Sequence, residues 1–179
     1  NLLATVEQAA CGADIIFVAP LTSNGAINRG DLVYNDLSRL YPFENKLFTI
    51  SMTGEQVKNY LEYSYERWLN RDGPAYCYDS AIGIRYKVYR HRPYGSRVEI
   101  ESMLDGSPFE PRGQYTAAVT SYRAMGGDGL LEKGAGMDIT NPEAYIVERY
   151  GDIRDLLFDY LTQEGVLDIK ANDNWSFVE

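Results

Sequence analysis

Histidine and cysteine are scarce in this 179-residue chain, which has one histidine, His91, and two cysteines, Cys11 and Cys77. A Ser-His-Asp or Cys-His arrangement would have to use His91, which lies between two arginines in a loop with no obvious acid nearby. The cysteines form no C-x-x-C pair, so we expect no zinc site. They could be two buried thiols or one disulfide. The chain also lacks the cluster of His and Asp that a two-metal site needs, so we predict no catalytic residue and no metal ligand in it.

Basic residues and long apolar runs are also in short supply. The chain has 17 Lys and Arg against 26 Asp and Glu, a net charge of −9. A field of that sign repels phosphate polymers, so we expect no nucleic acid polymer as a partner. No apolar run approaches the ~18 residues of a membrane helix, so we expect no membrane insertion. The chain begins at Asn1 without a visible signal peptide, and we expect it to be a trimmed piece of a longer protein.

The remaining composition is typical of a soluble globular fold, with 45% hydrophobic and 24% charged residues. Neither a linker nor an internal repeat is visible, so a single domain over residues 1–179 is expected. Helices and strands follow one another without a regular βαβ alternation. That order predicts an α+β fold in which helices cover a mixed β-sheet.

Hydrophobic periodicity predicts the individual elements. A capping box, with Thr53 as N-cap and Gln56 three residues later, marks the start of the clearest helix. Asn141 followed by Pro142 predicts a further helix over 143–150, as an N-cap with proline at the first position. The other predicted helices cover 2–11, 32–40 and an apolar stripe over 153–161. The predicted strands cover 13–19, 46–52, 82–90, 97–104, 114–121 and an edge strand over 175–178.

Residues 122–129, which read YRAMGGDG, are the most informative stretch of the chain. Tyr122 precedes Asp128 by six residues, and three glycines surround the acid. Glycine allows a positive φ and a close approach of the backbone to a ligand. An aromatic face with a nearby carboxylate that accepts hydrogen bonds suits a nucleoside or a sugar. The alternative is a β-hairpin turn in which Tyr122 belongs to the core.

A second motif precedes the strand at 46–52, where residues 41–47 read YPFENKL. It is followed by MTGEQV at 52–57, by IGIRY at 82–86 and by the glycine-rich stretch at 122–129. These motifs, in this order, resemble the C-terminal domain of the 5′-nucleotidase family. That family includes periplasmic UDP-sugar hydrolases and 2′,3′-cyclic-nucleotide phosphodiesterases. The resemblance covers about residues 13–130 and implies the fold of that domain.

The resemblance also implies roles for individual residues. Phe43 and Tyr122 would clamp the base, and Asn45 would help to orient the nucleoside. Asp128 would receive the ribose hydroxyls, and Gly83 would line the same pocket. Two divalent metal ions would be held by an N-terminal metallophosphatase domain, which would be the partner of this chain and would hydrolyse the phosphate ester. Residence in the periplasm or at the cell surface is implied in the same way.

One stretch departs from the family pattern. The family usually has a glycine-rich run ending in Ile-Arg after the first strand, and its arginine meets the phosphate. Residues 19–24 here read APLTSN, and Arg29 does not match in position. Asn24 cannot replace a bidentate arginine. Two alternatives to a nucleoside-binding domain are open. One is a carbohydrate-binding module, because tyrosine-rich faces also stack on sugars. The other is a structural or docking domain that has lost its ligand, which the departure at residues 20–24 favours.

Overall fold

The computed structural model describes residues 2–21 and 30–179, and within those ranges the chain forms eight strands and five α-helices. Residues 22–24, which are half of the departing stretch at 19–24, and Arg29 lie outside the described residues. The helices are α1 (Leu2–Cys11), α2 (Tyr34–Leu40), α3 (Gly54–Asn70), α4 (Ser121–Ala124) and α5 (Ile153–Glu164). The strands are β1 (Ile15–Val18), β2 (Lys46–Thr53), β3 (Ser80–Ile82), β4 (Ile84–Tyr89), β5 (Val98–Met103), β6 (Gln114–Thr120), β7 (Ile146–Asp152) and β8 (Trp175–Val178).

The strands divide between a five-stranded and a three-stranded sheet. The larger sheet has the order β3-β1-β6-β2-β7, and in it β1 and β6 are parallel while the other pairs are antiparallel. The smaller sheet has the order β5-β4-β8. The prediction of an α+β fold with a mixed sheet is confirmed. Because β1 and β6 are parallel, their carboxyl ends lie at the same sheet edge, where the antiparallel strands β2 and β3 begin.

Helices cover both faces of the larger sheet. Along β1, Ile15 and Phe17 pack into a core that includes Tyr60 of α3, whereas Ile16 packs with Ala4 of α1. Side chains of a strand alternate between faces, so a strand covered on both sides is a continuous apolar run. The run at 13–19 is therefore explained. β2 is buried on both faces for the same reason, although its sequence predicts a half-buried strand.

The capping box of α3 forms as predicted. Gln56 donates its backbone N–H to Thr53 Oγ1 at 3.2 Å, and Thr53 donates its backbone N–H to Gln56 Oε1 at 2.8 Å. Val57, Tyr60 and Leu61 then face the core. The predicted helical stripe on α5 and the predicted edge strand at β8 are also confirmed.

The helix predicted over 143–150 is wrong. Asn141 and Pro142 begin only a short 3-10 turn, Pro142–Ala144, after which the chain extends as β7. β7 pairs antiparallel with β2, for example Thr49 with Glu148. The β-branched residues at 146 and 147 suit an extended chain, and the backbone pairing available along β2 outweighs a local helix signal.

Gly83 joins β3 to β4, and a side chain at this position would clash with the neighbouring backbone. Its φ is +100°, and a Cβ at this position would lie 2.1 Å from the carbonyl oxygen of Asp14. We expect Gly83→Ala to destabilise the fold by about 3 kcal/mol or more, because backbone strain and a backbone clash add. Urea unfolding measures this, with Gly106→Ala as the matched control, since Gly106 has φ +89° and open space around it. Equal losses for both variants would contradict the close packing at Gly83.

Candidate functional site

A cavity of about 320 Å³ opens at the sheet edge where β1 and β6 end and β2 and β3 begin. Ligand sites favour the carboxyl ends of parallel strands, and this volume falls within the ~300–1,000 Å³ of small-molecule pockets. Most of the lining is apolar or aromatic, with a few polar groups. The lining residues are Leu3, Glu7, Phe17, Val18, Ala19, Leu21, Tyr41, Phe43, Glu44, Asn45, Tyr76, Asp79, Thr120, Tyr122 and Arg123.

Phe43 and Asn45 reach the cavity from the segment between α2 and β2. The Phe43 ring packs edge-on against Tyr41 and Tyr76, with ring centroids 6.0 and 5.4 Å away. Asn45 donates from Nδ2 to the Tyr41 hydroxyl at 3.1 Å. Burial raises the pKa of Tyr41 to about 12, so the hydroxyl is neutral and accepts this hydrogen bond. The ring and the amide are thus held by a buried tyrosine.

Tyr122 reaches the same cavity from the end of β6, at the start of α4. Its side chain is 51% exposed, so it is not the core residue of a hairpin turn. The ring lies against the backbone of Gly127, where a Cβ would approach it to 2.4 Å. The glycine is therefore needed for the ring position. The two aromatics and the amide singled out in the sequence line one cavity.

Arg123 and Asp79 form a buried ion pair in the cavity wall. Arg123 donates from Nε and Nη2 to the two carboxylate oxygens of Asp79, each at 3.0 Å. Tyr60 donates its hydroxyl to Asp79 at 2.5 Å, and Arg123 Nη2 also donates to the carbonyl of Tyr76 at 2.8 Å. Burial acts to lower the pKa of Arg123, but the Asp79 carboxylate raises it above its ordinary value. The pair fixes the wall that carries Tyr76.

Asp128 lies beside this pair, and the described residues that line the cavity do not include it. Its carboxylate accepts a hydrogen bond from Arg123, and its backbone carbonyl accepts one from Arg67 at 3.0 Å. Its φ of 57° is the left-handed conformation that the glycine-rich loop accommodates. The role of Asp128 towards ribose hydroxyls stays a prediction.

Gly83 is not at this site. It lines a separate depression together with Asp14 and Met103, at the amino end of β1, opposite the carboxyl end where the cavity lies. The expectation that it shares the pocket with Phe43 and Tyr122 is corrected here. Its positive φ and its contact with the Asp14 carbonyl explain the glycine without a ligand.

Glu7 also lines the cavity, although the sequence analysis did not single it out as a site residue. It belongs to α1, is 3% exposed, and its Oε2 has no hydrogen-bond partner within the described ranges. Burial, with a further contribution from Asp79, raises the pKa of Glu7 to about 8. One signal was available, because the i, i+4 spacing places Glu7 on the same helix face as the apolar Leu3. Tyr76 and Arg123 were missed because only the tertiary fold brings their segments together.

Other features of the described residues bear on chemistry. Cys11 and Cys77 are free thiols rather than a disulfide. Across residues 2–21 and 30–179, no three His, Cys, Asp or Glu side chains are grouped as metal ligands, so these residues do not fit a dimetal centre. In the same ranges, no helix is long and apolar enough to cross a membrane.

Known proteins are similar to this chain in sequence and in fold. A family model described as 5′-nucleotidase, C-terminal domain, matches residues 1–133. The trifunctional nucleotide phosphoesterase protein YfkN of Bacillus subtilis is 26% identical over 175 residues, covering 84% of this chain and 11% of the relative. A probable 5′-nucleotidase of Treponema pallidum is 34% identical over 115 residues, covering 60% of this chain and 19% of the relative. The chain thus spans only a small part of these curated relatives.

A solved structure supports the fold. The crystal structure of a putative 5′-nucleotidase from Staphylococcus aureus superposes with a TM-score of 0.81 at 21% identity, covering 99% of this chain and 36% of the other. The likeness extends beyond residue 133, so β7, α5 and β8 belong to the same fold. The family match over most of the chain and the shared fold lead to one conclusion: this chain belongs to the 5′-nucleotidase C-terminal domain family.

Proposed function

We propose that this chain is the nucleoside-recognition domain of a 5′-nucleotidase-type phosphoesterase that acts in nucleotide catabolism. The observation that carries the proposal is the cavity that Phe43, Asn45 and Tyr122 line together. A heterocycle held between two rings gains roughly 1–3 kcal/mol from stacking on an aromatic side chain. The Asn45 amide adds a group that can bond to a base edge.

Exposure of the aromatic groups supports this function. Tyr122 is 51% exposed and Tyr76 is 44% exposed, and both line the cavity. Exposed aromatic rings in a concave site are typical of stacking on flat ligands. Asp128, on the adjacent loop, would accept the ribose hydroxyls, as the family resemblance implies.

Hydrolysis is assigned to a different domain in this proposal. The described residues have no grouped metal ligands, and the relatives are several times longer than the match. An N-terminal metallophosphatase domain with two divalent metal ions would cleave the ester, while this chain binds the nucleoside or nucleotide. Residence in the periplasm or at the cell surface is part of the proposal and rests on the family resemblance.

Removing either ring tests the clamp. We expect Phe43→Ala and Tyr122→Ala each to weaken adenosine binding by more than about fivefold, because each loses one stacking partner. Isothermal calorimetry with adenosine, AMP and glucose measures the affinities, and no hydrolysis product of AMP is expected from this chain alone.

Tyr94→Ala is the matched control, because Tyr94 is also 51% exposed but lies in the turn between β4 and β5. The Tyr94→Ala variant is expected to bind adenosine with the same affinity as the unmodified chain. Glucose binding more tightly than adenosine would favour a carbohydrate-binding module. No heat with either purine compound at millimolar concentration would leave a structural docking role.

A further inference from the structure

Two arginines hold Asp128, the acidic residue of the glycine-rich loop. Arg123 donates a hydrogen bond from Nη1 to Asp128 Oδ2. Arg67, on α3, donates one from Nη1 to the backbone carbonyl of Asp128 at 3.0 Å. The same Arg67 nitrogen lies 3.9 Å from Asp128 Oδ1, which is too far for a hydrogen bond. Neither arginine therefore occupies Oδ1, and the Asp128 side chain is 16% exposed, so a ligand beside the loop can contact the carboxylate.

The backbone of this loop needs an outside contact to keep one conformation. Asp128 has a φ of 57°, which is uncommon for a residue with a side chain, and it is flanked by Gly126 and Gly129 with φ values of 94° and 70°. Glycine leaves a chain many alternative conformations, so the loop sequence by itself does not select this one. The hydrogen bond from Arg67 holds the peptide group of Asp128, and thereby the direction in which its side chain leaves the backbone.

Arg67 is itself fixed by the turn that follows α3. Its Nε donates to Asp72 Oδ2 at 3.1 Å, and its Nη2 donates to the Asp72 carbonyl at 3.2 Å. The chain continues from this turn to Tyr76, which lines the cavity. Arg123 links the same two segments a second time, because it bonds to the Tyr76 carbonyl and to the Asp128 carboxylate. The two arginines thus join the loop that carries Asp128 to the segment that carries Tyr76.

We propose that Arg67 is a positioning residue that holds the Asp128 carboxylate where it accepts the ribose hydroxyls of a nucleoside stacked on Tyr122. The inference rests on the nucleoside-recognition function proposed above. The Tyr122 ring lies against the backbone of Gly127, which directly precedes Asp128, so the carboxylate is carried beside the stacking surface. Hydrogen bonds from a hydroxyl to a carboxylate are short, about 2.5–2.7 Å between the oxygens, and weaken steeply out of alignment. Arg67 acts on them only through the loop.

Arg67 is the arginine that can be replaced without leaving a buried charge unpaired. Asp128 keeps its bond to Arg123 when Arg67 is absent, and the Asp72 side chain is 69% exposed. Loss of Arg123, in contrast, leaves the Asp79 carboxylate buried without a cation. We therefore expect the Arg67→Met variant to fold, and thermal unfolding checks this.

The test compares two ligands that differ only in the ribose hydroxyls, adenosine and 2′,3′-dideoxyadenosine, by calorimetry with the full chain. Neither ligand has a phosphate, so the charge of Arg67 does not attract them directly. Arg67→Met is expected to weaken adenosine binding about fivefold and dideoxyadenosine binding less than about twofold, because only the hydroxyl contacts depend on Asp128. Asp72→Ala, which removes one anchor of Arg67, is expected to weaken adenosine binding in the same direction by a smaller factor.

Arg97→Met is the matched control. The Arg97 side chain is 15% exposed, against 14% for Arg67, and it also contacts α3, through an ion pair with Glu66 at 2.8 Å. Its other partner is the carbonyl of Arg90 at the end of β4, and not the glycine-rich loop. Arg97→Met is expected to keep the affinities for both ligands. A selective loss of adenosine binding in this variant overturns the proposal.

A double variant tests whether Arg67 acts through Asp128. Asp128→Gly is expected to remove most of the preference for adenosine over dideoxyadenosine, and glycine accepts the backbone conformation of this position. In that background, Arg67→Met is expected to change adenosine affinity by less than about twofold, because the contact that it supports is already absent. An equally large effect of Arg67→Met with and without Asp128 overturns the positioning role.

The two proposals fail in distinguishable ways. Equal weakening of adenosine and dideoxyadenosine in Arg67→Met is the result of a general structural role and overturns the positioning role alone. Unchanged adenosine affinity in Arg67→Met, together with losses in Phe43→Ala and Tyr122→Ala, also overturns the role of Arg67 and supports the aromatic site. Absence of adenosine binding by the unmodified chain overturns the recognition function and the role of Arg67 with it.

Discussion

Glu7→Gln is expected to stabilise the folded chain by up to about 3 kcal/mol near pH 7. The folded pKa of Glu7 is raised from 4.5 to about 8, so the folded chain must keep this group protonated where the unfolded chain would ionise it. A shift of one pKa unit corresponds to ~1.4 kcal/mol. Glutamine has nearly the same shape and never ionises, so it removes this unfavourable term. Urea unfolding at several pH values measures the difference.

The sign of the pH dependence follows from the direction of the shift. Because the folded pKa is the higher one, the contribution of Glu7 to stability is fully present below about pH 4.5 and is lost as the pH rises through about 8. The advantage of Glu7→Gln is therefore expected to be small near pH 5 and about 4 kcal/mol near pH 8. Identical pH slopes for the two proteins would contradict the raised pKa.

Glu62→Gln is the matched control for this prediction. Both oxygens of Glu62 accept backbone N–H groups, so an amide there turns one N–H towards another donor. We expect that variant to be destabilised by about 1–3 kcal/mol. Opposite signs at the two buried glutamates would separate a carboxyl group with an unpaired oxygen from one whose two oxygens both accept hydrogen bonds.

Arg123→Met is expected to destabilise the chain by about 3–5 kcal/mol. The change leaves the Asp79 carboxylate buried with no cationic partner, and removal of one member of a buried ion pair has this effect. It also removes the hydrogen bond to the Tyr76 carbonyl, so the cavity wall loses its anchor. Arg123→Lys is not expected to rescue the fold, because one ammonium cannot replace the guanidinium that bonds to Asp79, Tyr76 and Asp128.

A control variant and a double variant test the prediction for Arg123→Met. Arg149→Met is the control, since Arg149 pairs with Glu143 at the surface, where the two side chains are 43% and 73% exposed, and we expect a loss below about 1 kcal/mol. The double variant Arg123→Met with Asp79→Leu is expected to be more stable than Arg123→Met alone, because no charge is then left unpaired. A double variant that is less stable than the single one would contradict this account.

Local signals in the sequence were sufficient for most elements. The capping residues Thr53 and Gln56 define the start of α3. Their hydrogen bonds join residues only three positions apart, so a short sequence is enough to predict them. The apolar run at 13–19 identifies a strand covered on both faces. The signal at Asn141 and Pro142 was equally local, yet β7 formed because pairing with a distant strand outweighs one turn of helix.

The site shows the same division between local and distant causes. Phe43, Asn45 and Tyr122 were found because each lies in a short motif that resembles the 5′-nucleotidase C-terminal domain. Gly83 also lies in such a motif, but its conformation serves the packing against Asp14 rather than the cavity. Glu7, Tyr76 and Asp79 carry no motif, and only the folded chain shows that they surround the same space.

The sequence alone determined the α+β class, most helix and strand positions, and the family to which the chain belongs, because these depend on periodicity and on motifs of a few residues. The tertiary structure alone decided which groups share the cavity and which charges are buried there. Burial depends on segments far apart in the chain, and burial, with a further contribution from Asp79, is what raises the pKa of Glu7 far above that of a solvent-exposed glutamate.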